Sequence, residues 1–247
     1  MSVDLKKRTQ TAGAILAKKG LSAPPIMRVG LAIDISGSMD DEFADGSVQN
    51  VIDQMLGIAA KFDDDGSIDV FQFDDRADYV GVCEAANYGN YVSQAGLRVR
   101  GGTAYSPCIR LITEKMFSAP TEKSGMFGGL FGKKPQPAAG SDIPVLIFFI
   151  TDGAPYNEGH TESAQYAAIK PALEAAQAYP VYFQMIGINN QSDQFAVIER
   201  LANDLPNVGF VGMNGFGKSD EQLYSEVISD ELIAWVKNTR SPSQATG

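Results

Sequence analysis

Residues 143–150 read IPVLIFFI, the longest strongly apolar run in the chain. It is far too short to cross a bilayer, which takes about 20 residues in a helix. A short run with no polar residue at alternate positions reads instead as a strand covered on both faces, the pattern of a parallel sheet. Such a strand belongs at a sheet centre, and the rest of the chain supplies what covers it. Residues 29–35 (VGLAIDI) form a second near-continuous apolar run. Residues 67–73 carry Ile68, Val70, Phe71 and Phe73, and 77–82 reads as a short antiparallel partner at their edge. Strands are also expected at 181–188 and 208–213. Between them lie segments with helical spacing. The segment 48–62 carries Val51, Ile52, Met55, Leu56, Ile58 and Ala59, and 106–117, 163–178 and 193–202 follow. A single closing helix is expected over 220–236, with Leu223, Val227, Leu232 and Trp235 in its stripe. Strand and helix alternate, so the expected fold is α/β: a doubly wound, mostly parallel central sheet with helices on both faces and one short antiparallel edge strand. Ligands of such sheets gather beyond the carboxyl ends of the strands, where the strand order reverses.

The organisation follows from composition. Residues 1–26 read as a helical arm whose apolar face (Val3, Ala12, Ile15, Leu16) is thin, so it is a docked arm or an exposed tail, stopped by Pro24 and Pro25. Residues 27–240 form the main domain and 241–247 a disordered tail. Within the domain, about 118–142 is rich in Gly, Pro, Ala and Lys and reads as a mobile insertion. Its Phe127, Leu130 and Phe131, followed by Lys133 and Lys134, make it a small membrane-touching or partner-binding element or a disordered linker with sticky residues, and the linker is favoured. The net charge of −10 argues against a duplex-binding protein, which needs a basic face. Lys6, Lys7 and Arg8 are followed by a stretch too polar for a signal-peptide core, so a cytoplasmic protein without stable membrane insertion is expected. Cys83 and Cys108 have no metal-ligand spacing and read as reduced, packed thiols rather than a disulfide or zinc site.

One feature needs more than packing. The first apolar run ends in Asp34, Ser36 and Ser38, oxygen-bearing side chains at alternate positions. The IPVLIFFI strand ends in Asp152 and Gly153, and RGGTAYSP (100–107) puts Thr103 in a glycine-rich loop before a helix. In a doubly wound sheet these loops converge on one end. Oxygen-only donors with small hydroxyls suit a hard cation, Mg²⁺ first and Mn²⁺ or Ca²⁺ after it. The alternative is that Ser36 and Ser38 cap the next helix and Asp152 starts a turn. The acidic Asp40, Asp41 and Glu42 rim the site, bind a second ion, or form an exposed turn, and the turn is favoured. Asp74, Asp75 and Asp78 end the second strand and lie beside the same rim or form a solvated edge, and the solvated edge is favoured.

Asp-x-Ser-x-Ser, then a Gly-Gly-Thr loop, then Thr-Asp-Gly after an apolar strand resembles the metal-ion-dependent adhesion site of von Willebrand factor type A (vWA) domains, over roughly residues 27–236. The resemblance implies that Asp34, Ser36, Ser38, Thr103 and Asp152 hold the metal, the hydroxyls directly and the carboxylates directly or through water. It implies a non-enzymatic interaction module in which a partner's Asp or Glu completes the shell. The Lys-rich start ending in KKGL and the closing SDEQLYSEVISDELIAWVKNTR are similar to the bacterial vWA proteins linked to tellurium and toxic-cation resistance. That similarity implies a stress-response role.

An enzymatic alternative rests on GMNGFGKS (212–219), which matches the phosphate-loop pattern after a strand and before a helix. Gly215, Gly217 and Lys218 would cradle a phosphate there. Against it, Asp220 and Glu221 place negative charge beside that phosphate, and the competing reading is a glycine turn with Ser219 or Asp220 capping the helix. A metal hydrolase at the Asp/Ser site would need a base, and His160, the only histidine, reads as an exposed loop residue.

Overall fold

The computed structural model describes residues 2–63, 66–117, 143–188, 192–213, 215 and 217–239. The expected insertion and tail lie outside these residues. The elements in chain order are α1 (Val3–Lys18), β1 (Arg28–Asp34), α2 (Asp40–Ala44), α3 (Ser47–Phe62), β2 (Ile68–Phe73), β3 (Ala77–Cys83), α4 (Tyr91–Ala95) and α5 (Ser106–Phe117). They continue with β4 (Val145–Thr151), α6 (Glu162–Ala176), β5 (Val181–Gly187), α7 (Ala196–Asp204), β6 (Val208–Gly212), α8 (Asp220–Val227) and α9 (Asp230–Asn238).

The six strands form one sheet in the order β3-β2-β1-β4-β5-β6. All pairs are parallel except β2 with β3, so the antiparallel strand sits at an edge as the sequence predicts. β1 and β4 are the central pair. From β1 the chain steps outward through β2 and β3, then returns to β4 and steps the other way, so strand order reverses between them.

The apolar character of β4 follows from this position. Leu146, Phe148 and Ile150 enter one core with α1, α3, α8 and α9. Val145, Ile147 and Phe149 enter a second core with α5, α6 and α7. Successive side chains serve opposite layers, so no position on β4 faces water. Truncating a ring such as Phe149, fully buried, to alanine would cost about 3–5 kcal/mol.

α1 is docked, not a tail. Ser2 caps it by accepting from the Leu5 amide, and Leu5, Ala12, Ile15 and Leu16 are buried. Val3, assigned to the apolar face from the sequence, is 73% exposed, and Leu5 takes its place. Arg8 then ties the arm down: it donates to Asn50 of α3 and lies 3.3 Å from Asp220 of α8. The single closing helix is also corrected. Ser229 interrupts it and caps α9 by accepting from the Leu232 amide, with Asp230 and Glu231 in the new first turn. Ser219-Asp220-Glu221 does the same at α8. A capping serine followed by acidic residues starts a helix more favourably than it continues one. Cys83 and Cys108 are free and buried, and burial raises both thiols, Cys83 to about 12.

Candidate metal centre

Asp34 and Thr151 are the last residues of β1 and β4, the two central strands. Their side chains meet: the Thr151 hydroxyl donates to Asp34 Oδ2 at 2.6 Å. The Ser36 amide donates to Asp34 Oδ1 at 2.8 Å, bending the chain as it leaves the strand. Ser36 and Ser38 Oγ atoms are 3.2 Å apart, and Ser38 donates to Asp152 Oδ1 at 2.9 Å. Asp34, Ser36, Ser38 and Asp152 therefore form one hydrogen-bonded cluster drawn from two loops separated by more than a hundred residues.

The capping alternative fails at these serines. Ser36 stands at the N-cap position of a short 3₁₀ turn, Gly37–Met39, and makes no side-chain cap bond. Ser38 spends its proton on Asp152 instead.

Thr103 arrives through its backbone. The Gly37 amide donates to the Gly101 carbonyl, and the Arg100 amide to the Ile35 carbonyl, so the Gly-Gly-Thr loop runs beside the Ser-Gly-Ser loop. On the other side, Asn157 grips Thr103 twice: its Oδ1 accepts the Thr103 amide at 2.9 Å, and its own amide donates to the Thr103 carbonyl at 3.0 Å. Glu158 accepts the amides of Tyr105 and Ser106 at 2.6 and 3.0 Å, capping α5 with a carboxylate where the helix dipole favours one. Gly101 needs glycine for its backbone, and Gly102 needs it for as long as Asn157 keeps this grip. Gly101 has φ +69°, and a Cβ on Gly102 would lie 2.1 Å from Asn157 Oδ1. Asn157 and Glu158 are not legible as site residues in the sequence alone. The proximity of YNE to the Thr-Asp-Gly motif was the one available signal.

Asp74 overturns the expectation of a solvated edge. It is fully buried, accepts from Arg100 Nε at 2.7 Å, and its carbonyl accepts the Ala104 amide. It thereby fastens the Gly-Gly-Thr loop to the end of β2. Burial pushes its carboxyl up, but the Arg76 amide and the Arg100 guanidinium outweigh this and hold it below the usual range. Asp75 and Asp78 are the solvated members. Asp40 and Asp41 are exposed in the first turn of α2, as expected of an acidic turn. Glu42 differs. One of its carboxylate oxygens is buried with no hydrogen-bond partner among the described residues. Its pKa is raised by burial and then by the charges of Asp152, Asp41 and Asp45.

The electrostatics fit a cation. Burial raises Asp34 to about 7 although hydrogen bonds from Ser36 and Thr151 pull it down, and the Asp152 charge adds to the rise. Asp152 is also raised by burial, offset in part by Ser38. Two carboxylates held where water solvates them poorly gain most from a nearby positive charge. No group of three or more His, Cys, Asp or Glu suited to a metal occurs among the described residues. A metal here would therefore rest on the two carboxylates and the neutral hydroxyls together. That donor set fits a hard divalent cation and not a thiophilic one.

The second glycine loop is different. Lys218 is paired with Glu226, and Ser219 and Gln222 form a capping box at α8. His160 is exposed in a bend.

A six-stranded, doubly wound sheet with these loops at the carboxyl ends of β1 and β4 is the vWA-like α/β fold. The chain belongs to the vWA-TerF-like family, described as the vWA found in TerF C terminus, whose model matches residues 26–244. The match starts after α1. The protein YcbR of Bacillus subtilis (strain 168) is 28% identical over 247 residues, covering 97% of this chain and 88% of YcbR. Among solved structures, the PilB minor pilin from Streptococcus sanguinis superposes with a TM-score of 0.55 at 14% identity, over 86% of this chain. Its D319A mutant gives 0.55 at 13%. The chain spans 62% of the length of that pilin, and the likeness concerns the fold alone. No helix among the described residues is long and apolar enough to cross a membrane.

Proposed function

We propose that this chain is a non-enzymatic, divalent-metal-dependent protein-interaction module of the cytoplasm. The observation that carries the reading is the hydrogen-bonded cluster of Asp34, Ser36, Ser38 and Asp152 at the carboxyl ends of the central strands. Bound Mg²⁺ would supply a Lewis-acidic point able to accept one more oxygen, from the Asp or Glu of a protein partner. Ser36, Ser38 and Thr103 would contribute neutral oxygens, and Asp34 and Asp152 charge. Neutral hydroxyls leave part of the metal's charge uncompensated, which favours an acidic partner. The chain's own residues hold the geometry through Asn157, Glu158 and Asp74. Membership of the TerF-like family supports a place in tellurite and toxic-cation resistance. The engagement of Lys218 with Glu226 favours this over a nucleotide hydrolase built on the second glycine loop.

The test is titration calorimetry with Mg²⁺ and Mn²⁺, paired with affinity capture in Mg²⁺ or chelator for wild type and Asp34→Ala. Metal binding with capture that is lost in both chelator and variant supports the reading. Intact protein that takes up no metal at millimolar concentration sinks it.

A further inference from the structure

Behind the proposed ligands lies a buried hydroxyl pair that the five-residue motif does not include. Thr151 and Tyr105 are both fully buried, as is Asp34. The Tyr105 ring is fixed by packing, edge-on to Phe149 at 5.3 Å and to Phe73 at 5.9 Å. Its hydroxyl lies 3.2 Å from Thr151 Oγ1 and donates to the Gly153 carbonyl. The same carbonyl is the second acceptor within reach of Thr151, at 3.1 Å against 2.6 Å to Asp34. A threonine hydroxyl has one proton to give. Donation from Tyr105 weakens the Gly153 carbonyl as a competing acceptor without closing it, and the carboxylate is both the nearer and the stronger acceptor, so that proton goes to Asp34.

We infer that Thr151 is the positioning residue that orients Asp34 toward a ligand, and that Tyr105 biases Thr151 toward Asp34 by donating to its competing acceptor. The inference rests on the metal-binding reading above. With Ser36 holding Oδ1 and Thr151 holding Oδ2, the Asp34 carboxylate has one orientation. Without Thr151 it can rotate about its last bond, and a donor set that must match a small, rigid coordination sphere is degraded. The pair also joins three segments: the ends of β1 and β4 and the residue preceding α5.

The experiment is Mg²⁺ calorimetry on wild type, Thr151→Val, Thr151→Ser and Tyr105→Phe, with melting temperatures recorded without metal. Thr151→Val should weaken Mg²⁺ binding about 10- to 100-fold, the range for lost support behind a ligand. Thr151→Ser should recover affinity to within about threefold, and Tyr105→Phe, which keeps the ring packing, should weaken it about three- to tenfold. A purely structural role would lower melting temperatures and leave the dissociation constants unchanged, and that result overturns the inference. Should Thr151→Val fail to fold, Tyr105→Phe decides: unchanged affinity there also overturns it. Wild-type protein that binds no Mg²⁺ removes the metal-binding reading itself and the inference with it. Binding by wild type and Thr151→Val alike removes the inference alone.

Discussion

Two glycine-containing motifs at the carboxyl ends of parallel strands, one after β1 and one after β6, look like ligand sites in the sequence. The loop after β1 ends a central strand, and its side chains meet those from the loop after β4, with the Gly-Gly-Thr loop alongside. The loop after β6 ends an edge strand. There Ser219 is spent on a helix cap and Lys218 on Glu226. The difference is convergence. At the first loop, the oxygens of separate segments are held against one another and their carboxylates are raised by burial. At the second, Ser219 caps its own helix and Lys218 pairs with Glu226 of that helix. A motif marks a site when distant segments deliver groups that have no better local partner.

The largest way to break this contrast is to remove charge from the first loop. Asp34 has a raised pKa, about 7 against 3.8. From about pH 4 upward the unfolded chain has lost this proton while the folded chain keeps it until about 7. The folded state therefore binds more protons, and the metal-free protein should lose stability as pH rises through that window. The change amounts to about 1.4 kcal/mol per pH unit at most, so a few kcal/mol in all. Asp34→Asn lacks this titration. The stability difference between variant and wild type, from denaturant melts at several pH values, should grow toward neutrality and then level off. A flat difference would show that Asp34 ionises normally. Adding Mg²⁺ at a hundred times its dissociation constant should stabilise wild type by about 2.7 kcal/mol and Asp34→Asn hardly at all.

Much of this contrast is legible in the sequence because it rests on chemistry carried by residue type. The apolar runs ending in Asp34 and in Thr151-Asp152 fix which strands are central, since only a two-faced strand can afford no polar position. What stays hidden is the support. Asp74 reads as one of several exposed acids until Arg100, 26 residues later, is seen to bury it. Asn157 carries no signal of its own in the sequence, and its role shows only where the Thr103 backbone lies against it. Leu5 outranks Val3 on α1 because the arm's angle against α3 and α8 decides which face is covered, and helical periodicity alone does not set that angle. The break between α8 and α9 was readable: the Ser-Asp-Glu triplet at 219–221 recurs at 229–231. A continuous apolar stripe masked it.

A smaller effect sharpens the comparison from the side of that support. Asn157→Ala removes the acceptor of the Thr103 amide but leaves the backbone bond between the same residues. Mg²⁺ affinity should fall about tenfold, toward the low end for lost indirect support. Asn157 is exposed, so stability without metal should shift by no more than about 0.5 kcal/mol. Asn157→Asp keeps an acceptor and should retain most of the affinity. Equal affinity in Asn157→Ala and wild type, read by calorimetry, would mean that Gly101 and Asp74 suffice to hold the loop.

The smallest expected effect lies at the second loop. Lys218 and Glu226 are partly exposed, with side chains 22% and 40% accessible, and such a pair contributes about 0–1 kcal/mol. Lys218→Ala should therefore leave stability nearly unchanged, and Mg²⁺ affinity with it, because the Lys218 side chain pairs with Glu226 and makes no described hydrogen bond to the Asp34 cluster. Ser219→Ala should cost more, about 1 kcal/mol, since it strips the cap from α8. What separates a glycine turn from a phosphate loop is ligand binding, since in a phosphate loop the lysine contacts the phosphate. ATP titrations on both variants and wild type complete the comparison. Saturable ATP binding by wild type that disappears in Lys218→Ala would show that the lysine exchanges Glu226 for a phosphate, and the two loops would then differ in ligand and not in kind.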